Sequence, residues 1–356
     1  MVTPVQSNAE PASRYIVMLH PAAEFGALTQ RVPMRVDHVY DTAIKGFSAW
    51  LSPSQLRKLA ADKSVAAIEP DARVQALGEQ LNPPSWGLDR IDQRRLPLDN
   101  RYRWITEASN VSAYVIDTGI RATHTDFGGR VGGGIDLVDD DGNPNDDNGH
   151  GTFIAGIIGG TRFGVAKKIQ LVPVRVLNAQ GSGTTADVIA GVDWVTRNAR
   201  KPAVANMSIG GAANAALDAA VRNSIASGVT YGVAAGSSAS DARNFSPARV
   251  AEALTTAATN INDCAHSASN YGPAIDMYAP GVNISGPWAT SDTATTTLSG
   301  TSFSTPHVVG GAGLYLADHP TATPAQVAAA LIAQSTKDVV CNVRPDTPNR
   351  LLYTLA

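Results

Sequence analysis

Residues 203–236 read "AVANMSIGGAANAALDAAVRNSIASGVTYGVAAG". Two apolar runs, VANMSIGG and VTYGVAAG, flank a segment in which Leu217, Ala220 and Ile225 fall mostly on one helical face. Apolar runs without alternation belong to strands covered on both faces, and strand–helix–strand order makes neighbouring strands parallel. The pattern continues upstream. AYVIDTG and IQLVPVRVL are further runs of this kind, and TTADVIAGVDWVTRNA puts Val188, Val192 and Val195 on one helix face. The expected fold class is α/β, a parallel sheet covered by helices on both faces. Functional groups in such sheets gather at the carboxyl ends of strands.

The amino-terminal part is built differently. Residues 1–13 are polar and Pro/Ala-rich and are expected to form a flexible tail. RYIVMLH reads as a strand, HVYDTAIKGFSAWLS as a loop or strand and then a strand, SPSQLRKLAADKS as a helix capped by Ser52, and VAAIEPDARVQA as a final strand. Residues 14–77 therefore form a small α+β unit, residues 77–85 (LGEQLNPPS) read as a linker, and residues 78–356 form the larger domain.

The 356-residue chain is 44% hydrophobic and 17% charged, with a net charge of −3. This balance gives no basic footprint for nucleic acid or an anionic membrane, and no run approaches the roughly 20 apolar residues of a membrane helix. The opening MVTPVQSNAEPASRY holds no apolar leader core, so the protein either stays in the cell or is exported by a leader absent from this sequence. Cys264 and Cys341 are compatible with one disulfide or two thiols.

Three motifs carry chemistry. Asp117 ends the strand AYVI, His150 opens a small-residue helix in DDNGHGTFIAGIIGG, and Ser302 opens an apolar helix in LSGTSFSTPHVVGGAG. Alone, they read as a turn residue, a cap or local hydrogen-bond partner, and an N-cap. Together they change meaning. A serine hydroxyl becomes nucleophilic when a base takes its proton, and an acid must hold that base in the right tautomer. A helix amino end beneath the serine offers N–H groups to a developing oxyanion.

VIDTGI, NGHGTFIAG and GTSFSTPH resemble the Asp, His and Ser signatures of the subtilisin-like serine proteases, nearest the proteinase K and aqualysin branch. The likeness runs through WGLDRIDQRRLPL, GVAKKIQLVPVRVL, IAGVDWVTRN, PAVANMSIGG and TPNRLLY. Residues 14–77 resemble that family's inhibitor-type propeptide, through YIVMLH, KGFSAWLS and VAAIEPDARV. The resemblance implies a subtilisin-like catalytic domain preceded by a ferredoxin-like α+β propeptide, and a serine endopeptidase acting through an acyl-enzyme. Asp117 would orient His150, His150 would serve as base and then acid, and Ser302 would be the nucleophile. The Ser302 N–H and the residue at position 237 would form the oxyanion hole. Ser208, Gly210 and Gly211 would pair with substrate backbone, with Ser182 and Gly183 across the cleft. Ala234, Ala235 and Gly236 would wall the S1 pocket.

The partners implied are peptide substrates with apolar or small P1 residues, and the chain's own propeptide as inhibitor and chaperone, removed by a cut within 74–82. A secreted monomer is expected on the same ground. Calcium is the implied structural ion, at Asp276 and at a second site of Asp89, Asp92, Gln93 and Asp99. The acidic loop DLVDDDGNPNDDNG (136–149) lacks an EF-hand's terminal Glu and reads as solvated.

The chain also departs from the family. Ser237 stands where the family has the asparagine that donates to the oxyanion. Phe153 and Phe303 replace a histidine and a methionine beside the triad, and Asp147, Ala179, Arg243 and Ala274 stand where aqualysin-like cysteines would be. The rival reading is a pseudoprotease that binds peptides without turning them over.

Overall fold

The computed structural model describes residues 12–71, 78–139 and 141–355. The chain divides into two compact units, Met1–Gln75 and Ala76–Ala356. Most of the expected tail, residues 1–11, lies outside the described residues, and so do residues 72–77 at the end of the expected propeptide.

In the first unit, a four-stranded antiparallel sheet runs Arg35–Tyr40, Gly46–Leu51, Ser13–Leu19, Val65–Pro70 in spatial order. Val17, Phe47, Ala49 and Leu51 from the sheet meet Leu28 and Leu59 from two helices, Phe25–Arg31 and Pro53–Ala60. The second helix starts as expected. The Ser52 hydroxyl accepts the Gln55 N–H at 3.3 Å while the Gln55 side chain accepts the Ser52 N–H at 2.7 Å, a capping box worth about 1 kcal/mol. The helix Phe25–Arg31 was not anticipated, because seven residues with one buried side chain show no usable periodicity.

The larger unit is organised by a nine-stranded sheet. Its spatial order is Thr336–Lys337, Arg350–Leu351, Met277–Pro280, Leu254–Thr259, Thr230–Ala234, Ala203–Met207, Ser112–Asp117, Gln170–Arg175 and Ile135–Asp136. All neighbours are parallel except the first pair. Helices Thr185–Asn198 and Ala215–Ala226 close one apolar core around Val192, Val195 and Val221. Helices His150–Gly159 and Thr301–Asp318 close another around Ile154, Ile158, Val308 and Val309. Burial of the sheet between two cores is why its strands read as unbroken apolar runs. The run VANMSIGG leaves the sheet after Met207, and Gly211–Ala212 pairs instead with Phe245–Ser246.

The reading of residues 77–85 as a linker is corrected for Gly78–Leu81. These four residues form a strand antiparallel to Arg101–Trp104. The Gln80 side chain donates to the Arg162 carbonyl at 3.0 Å and accepts from Lys167 at 2.5 Å. So short a polar strand is specified by distant partners, which periodicity within the segment does not report. Among the described residues no helix is long and apolar enough to cross a membrane.

Cys264 and Cys341 are joined as a disulfide, 77 residues apart in sequence. Beside it, the Asp263 carboxylate accepts two hydrogen bonds from the buried Arg90 guanidinium, at 2.7 and 2.9 Å. In a Ser302→Ala background, which prevents self-digestion, Cys341→Ser should lower unfolding free energy by about 2–4 kcal/mol in denaturant melts. An unchanged melt would mean that the bond does not constrain the unfolded chain.

Candidate active site

Asp117 is the last residue of a central strand and is wholly buried. Its Oδ1 accepts the Thr118 N–H at 2.8 Å and pairs with His150 Nδ1 at 2.7 Å. His150 is the first residue of its helix, which backs onto the turn after Asp117. A Cβ on Gly151 would lie 2.1 Å from the Gly119 carbonyl, so only glycine permits this approach. Burial by itself depresses the imidazole pKa. The Asp117 carboxylate, through its charge and its hydrogen bond, and Asp146, through its charge, outweigh burial and hold it above the usual histidine value.

Ser302 is the second residue of the helix Thr301–Asp318, where backbone N–H groups have no intrahelical acceptor. Its hydroxyl donates to the Ser208 carbonyl at 3.0 Å, and the Ser208 hydroxyl donates to the Ser302 carbonyl at 2.7 Å. The nucleophile candidate is thus latched to the segment expected to receive substrate. Among the described residues no hydrogen bond joins it to His150 in this conformation. Phe303 packs on the imidazole, ring centroids 5.6 Å apart, and Phe153 packs edge-on against Phe303 at 4.9 Å. The two phenylalanines form one buried support under the histidine, and the Asp117–His150 bond is kept.

A groove of about 770 Å³ brings His150 together with Ser182, Gly183, Ser208, Gly210 and Gly211. A second cavity, of about 300 Å³, is lined by Ala234, Ala235, Gly236, Ser237 and Ser302, with no charged side chain on its walls. Gly236 has φ +94°, a conformation that favours glycine, and packs against Asn270. Ser237 stands at the helix start. Its Oγ lies 3.3 Å from Thr301 Oγ1 and 3.5 Å from the Thr301 nitrogen.

The expectation of a solvated acidic loop is overturned for part of 136–149. Asp136 and Asp146 are buried. Arg175, at the end of the strand beside Asp117, pairs with Asp136 at 2.7 Å, Asp139 at 2.9 Å and Asp147 at 3.2 Å. Asp146 accepts hydrogen bonds from both sides of the Asp117–His150 pair, a role that sequence reasoning missed. Nothing in a run of like residues distinguishes the aspartate that faces inward.

The expected calcium ligands are held by protein donors. Asp89 accepts the Asn100 and Asp99 N–H groups at 2.8 and 3.3 Å, and Arg103 reaches Asp99 at 2.7 Å and Asp92 at 3.4 Å. The Gln93 side chain turns to the Arg95 and Pro97 carbonyls. Burial pushes Asp92 up to about 7. Asp276 accepts the Thr255 N–H at 2.8 Å, and burial pushes it up to about 6. Among the described residues no group of three or more His, Cys, Asp or Glu side chains is placed to hold a metal ion.

A buried carboxylate bonded to an imidazole in one groove, with a serine on a helix amino end in a cavity that shares Ser208, Gly210 and Gly211 with it, belongs on this sheet to a serine hydrolase. Comparison with known proteins narrows the class. Residues 108–350 match the subtilase family, peptidase S8, and residues 6–77 match peptidase inhibitor I9. The chain is 53% identical to an extracellular serine proteinase of Thermus sp. (strain Rt41A), over 90% of this chain and 78% of that relative. It is 46% identical to alkaline serine exoprotease A of Vibrio alginolyticus, over 97% and 68%. The crystal structure of a cold-adapted subtilisin-like serine proteinase superposes with a TM-score of 0.75 at 50% identity, covering 76% of this chain and 98% of that one. The chain belongs to the subtilase family and is a serine proteinase with an I9-type domain ahead of its catalytic domain.

In the Ser302→Ala protein, an NMR titration should place the His150 midpoint above the unperturbed value of about 6.5. Asp117→Asn should lower it, because desolvation then acts with less opposition. A midpoint that ignores Asp117→Asn would contradict the electrostatic account.

Proposed function

We propose that this chain is a secreted endopeptidase that cleaves peptide bonds after apolar or small P1 residues and removes its own propeptide. Ser302 attacks the scissile carbonyl as His150 takes its proton. Asp117 holds the imidazole tautomer, and His150 returns the proton to the leaving amine. Departure of the amine leaves the acyl group on Ser302, and a water deprotonated by His150 then hydrolyses that ester to release the carboxylic acid and the free serine. The observation that carries this reading is the 2.7 Å Asp117–His150 bond beside a groove that also holds Ser208–Gly211. Gly210 and Gly211, with Ser182 and Gly183 opposite, are read as the edges that pair with an extended substrate. The uncharged 300 Å³ cavity fits an apolar P1 side chain. The proposal of secretion is supported by the Thermus relative, which is named extracellular.

Ser237 is proposed as a weak oxyanion donor. Its hydroxyl is near the Thr301 nitrogen and oxygen, leaving the Ser302 N–H as the principal donor. Loss of a side-chain donor at such a site cost about 10²–10³ in turnover in a subtilisin, a relative of this chain. On an apolar-P1 peptide, Ser302→Ala should abolish hydrolysis, and Ser237→Asn should raise kcat at least tenfold with KM little changed. Wild type no better than Ser302→Ala, with Ser237→Asn active, would establish the pseudoprotease reading instead.

We propose that the propeptide cut falls before Gly78, a reading supported by the engagement of residues 78–81 as a strand paired with Arg101–Trp104. Amino-terminal sequencing of the mature protein should find its first residue between positions 75 and 78, and Ser302→Ala should stay full length. A structural calcium is proposed at Asp276, whose half-buried carboxyl has no cationic hydrogen-bond partner among the described residues, though the Arg350 charge acts on it, and whose oxygen suits that ion. At Asp89, Asp92 and Asp99 an ion would have to displace Arg103, so the proposal is confined to Asp276. Calcium should raise Tm over EDTA in the Ser302→Ala protein and not in its Asp276→Asn derivative. Equal melting would remove calcium from the account.

A further inference from the structure

The helix that begins with His150 has Gly149 as its N-cap residue, with φ +119° and no side chain to cap it. Its first N–H groups are answered from elsewhere. Asn148 Oδ1 accepts the His150 N–H at 3.1 Å, Thr118 Oγ1 accepts the Gly151 N–H at 2.9 Å, and Asp146 Oδ2 accepts the Thr152 N–H at 2.8 Å. Asp146 does more than cap. Its Oδ2 also accepts from Thr152 Oγ1 at 2.6 Å. Its Oδ1 accepts from Thr118 Oγ1 at 2.8 Å, from the Gly149 N–H at 2.8 Å and from the Asn148 N–H at 3.0 Å. One buried carboxylate, 3% exposed, thus takes five hydrogen bonds. Four come from the helix and the turn that enters it, and one comes from the residue after Asp117.

We propose that Asp146 is a positioning residue for the reaction, locking the His150 helix against the strand end that carries Asp117. The inference rests on the proposed roles of Asp117, His150 and Ser302. Its physical content is a shared anchor. Thr118 is bonded to Asp146 by its side chain and to Asp117 by its N–H, so displacing the helix would break the network on both sides. A carboxylate at a helix amino end is also favoured by the helix dipole. The anchor acts through charge as well. The titratable groups that act on the imidazole are Asp117 and Asp146, and the ring that packs on it, Phe303, is neutral.

Asp146→Asn, Thr118→Val and Asp141→Asn separate these effects. Asp146→Asn should lower kcat about 10–100-fold per titrated active site, the scale of a small misplacement, with KM within about twofold. It should also move the His150 midpoint, and the acid limb of kcat/KM, to lower pH, because a negative charge near the imidazole is gone. Thr118→Val breaks the anchor and keeps the charge, so kcat falls while the midpoint stays. It also serves if the Asp146 variant fails to fold. Asp141→Asn removes an exposed charge from the same loop and should change neither quantity.

Three results would overturn the proposal. The first is a loss of Tm in Asp146→Asn with kcat per active site and His150 midpoint unchanged. The second is an equal kcat for Thr118→Val and wild type. The third is an Asp141→Asn effect as large as that of Asp146→Asn. If Ser302→Ala remained active, the catalytic reading would fall separately. The titration of His150 in the Ser302→Ala chain would still decide whether Asp146 acts on that imidazole.

Discussion

Asp117 is a carboxylate with no exposed surface, and the working end of the larger unit is arranged around it. Burying one ionised carboxylate costs several kcal/mol unless hydrogen bonds and an opposite charge compensate. The Thr118 N–H and His150 Nδ1 answer one oxygen, while Oδ2 has no hydrogen-bond partner among the described residues. The site therefore depends on keeping the imidazole in place. Its requirements spread outward: a glycine at 151 to let the helix close, a carboxylate at 146 to hold it, and a guanidinium at 175 to anchor the loop that leads to it.

The serine side is built by a different device. Ser302 needs a helix amino end, and the helix Thr301–Asp318 is set by apolar packing of Val308 and Val309 against the sheet. The reciprocal pair of hydrogen bonds between Ser302 and Ser208 fixes that helix start to the segment leaving the strand Ala203–Met207. The hydroxyl is thereby held on the carbonyl of Ser208, a residue that lines the groove. For the serine proposed as nucleophile, such a resting contact is consistent with catalytic contacts that tighten only when substrate is bound.

The legible part of this molecule was whatever has a short-range cause. Strands covered on both faces wrote themselves as apolar runs, the Ser52 cap appeared as a serine directly ahead of a helix, and Asp117, His150 and Ser302 stood at element ends. Features with long-range causes were not legible. The strand Gly78–Leu81 exists because Arg101–Trp104 pairs with it. The disulfide exists because folding brings together cysteines 77 residues apart. The inward turn of Asp146 is set by donors on Thr118 and Thr152, on either side of the acidic run.

The sequence by itself determined a parallel α/β sheet that follows a small α+β unit in chain order, and it singled out the three residues proposed to carry acyl transfer. Hydrophobic period and cap chemistry are local, and they need no knowledge of what lies across the core. The tertiary structure alone decided which hydrogen bonds those residues make. It turned Ser302 toward Ser208, placed the Ser237 hydroxyl beside Thr301, and put Arg103 among carboxylates expected to hold an ion. A buried polar group takes its partner from whatever the fold brings within about 3 Å, and that distance is set by packing across the sheet.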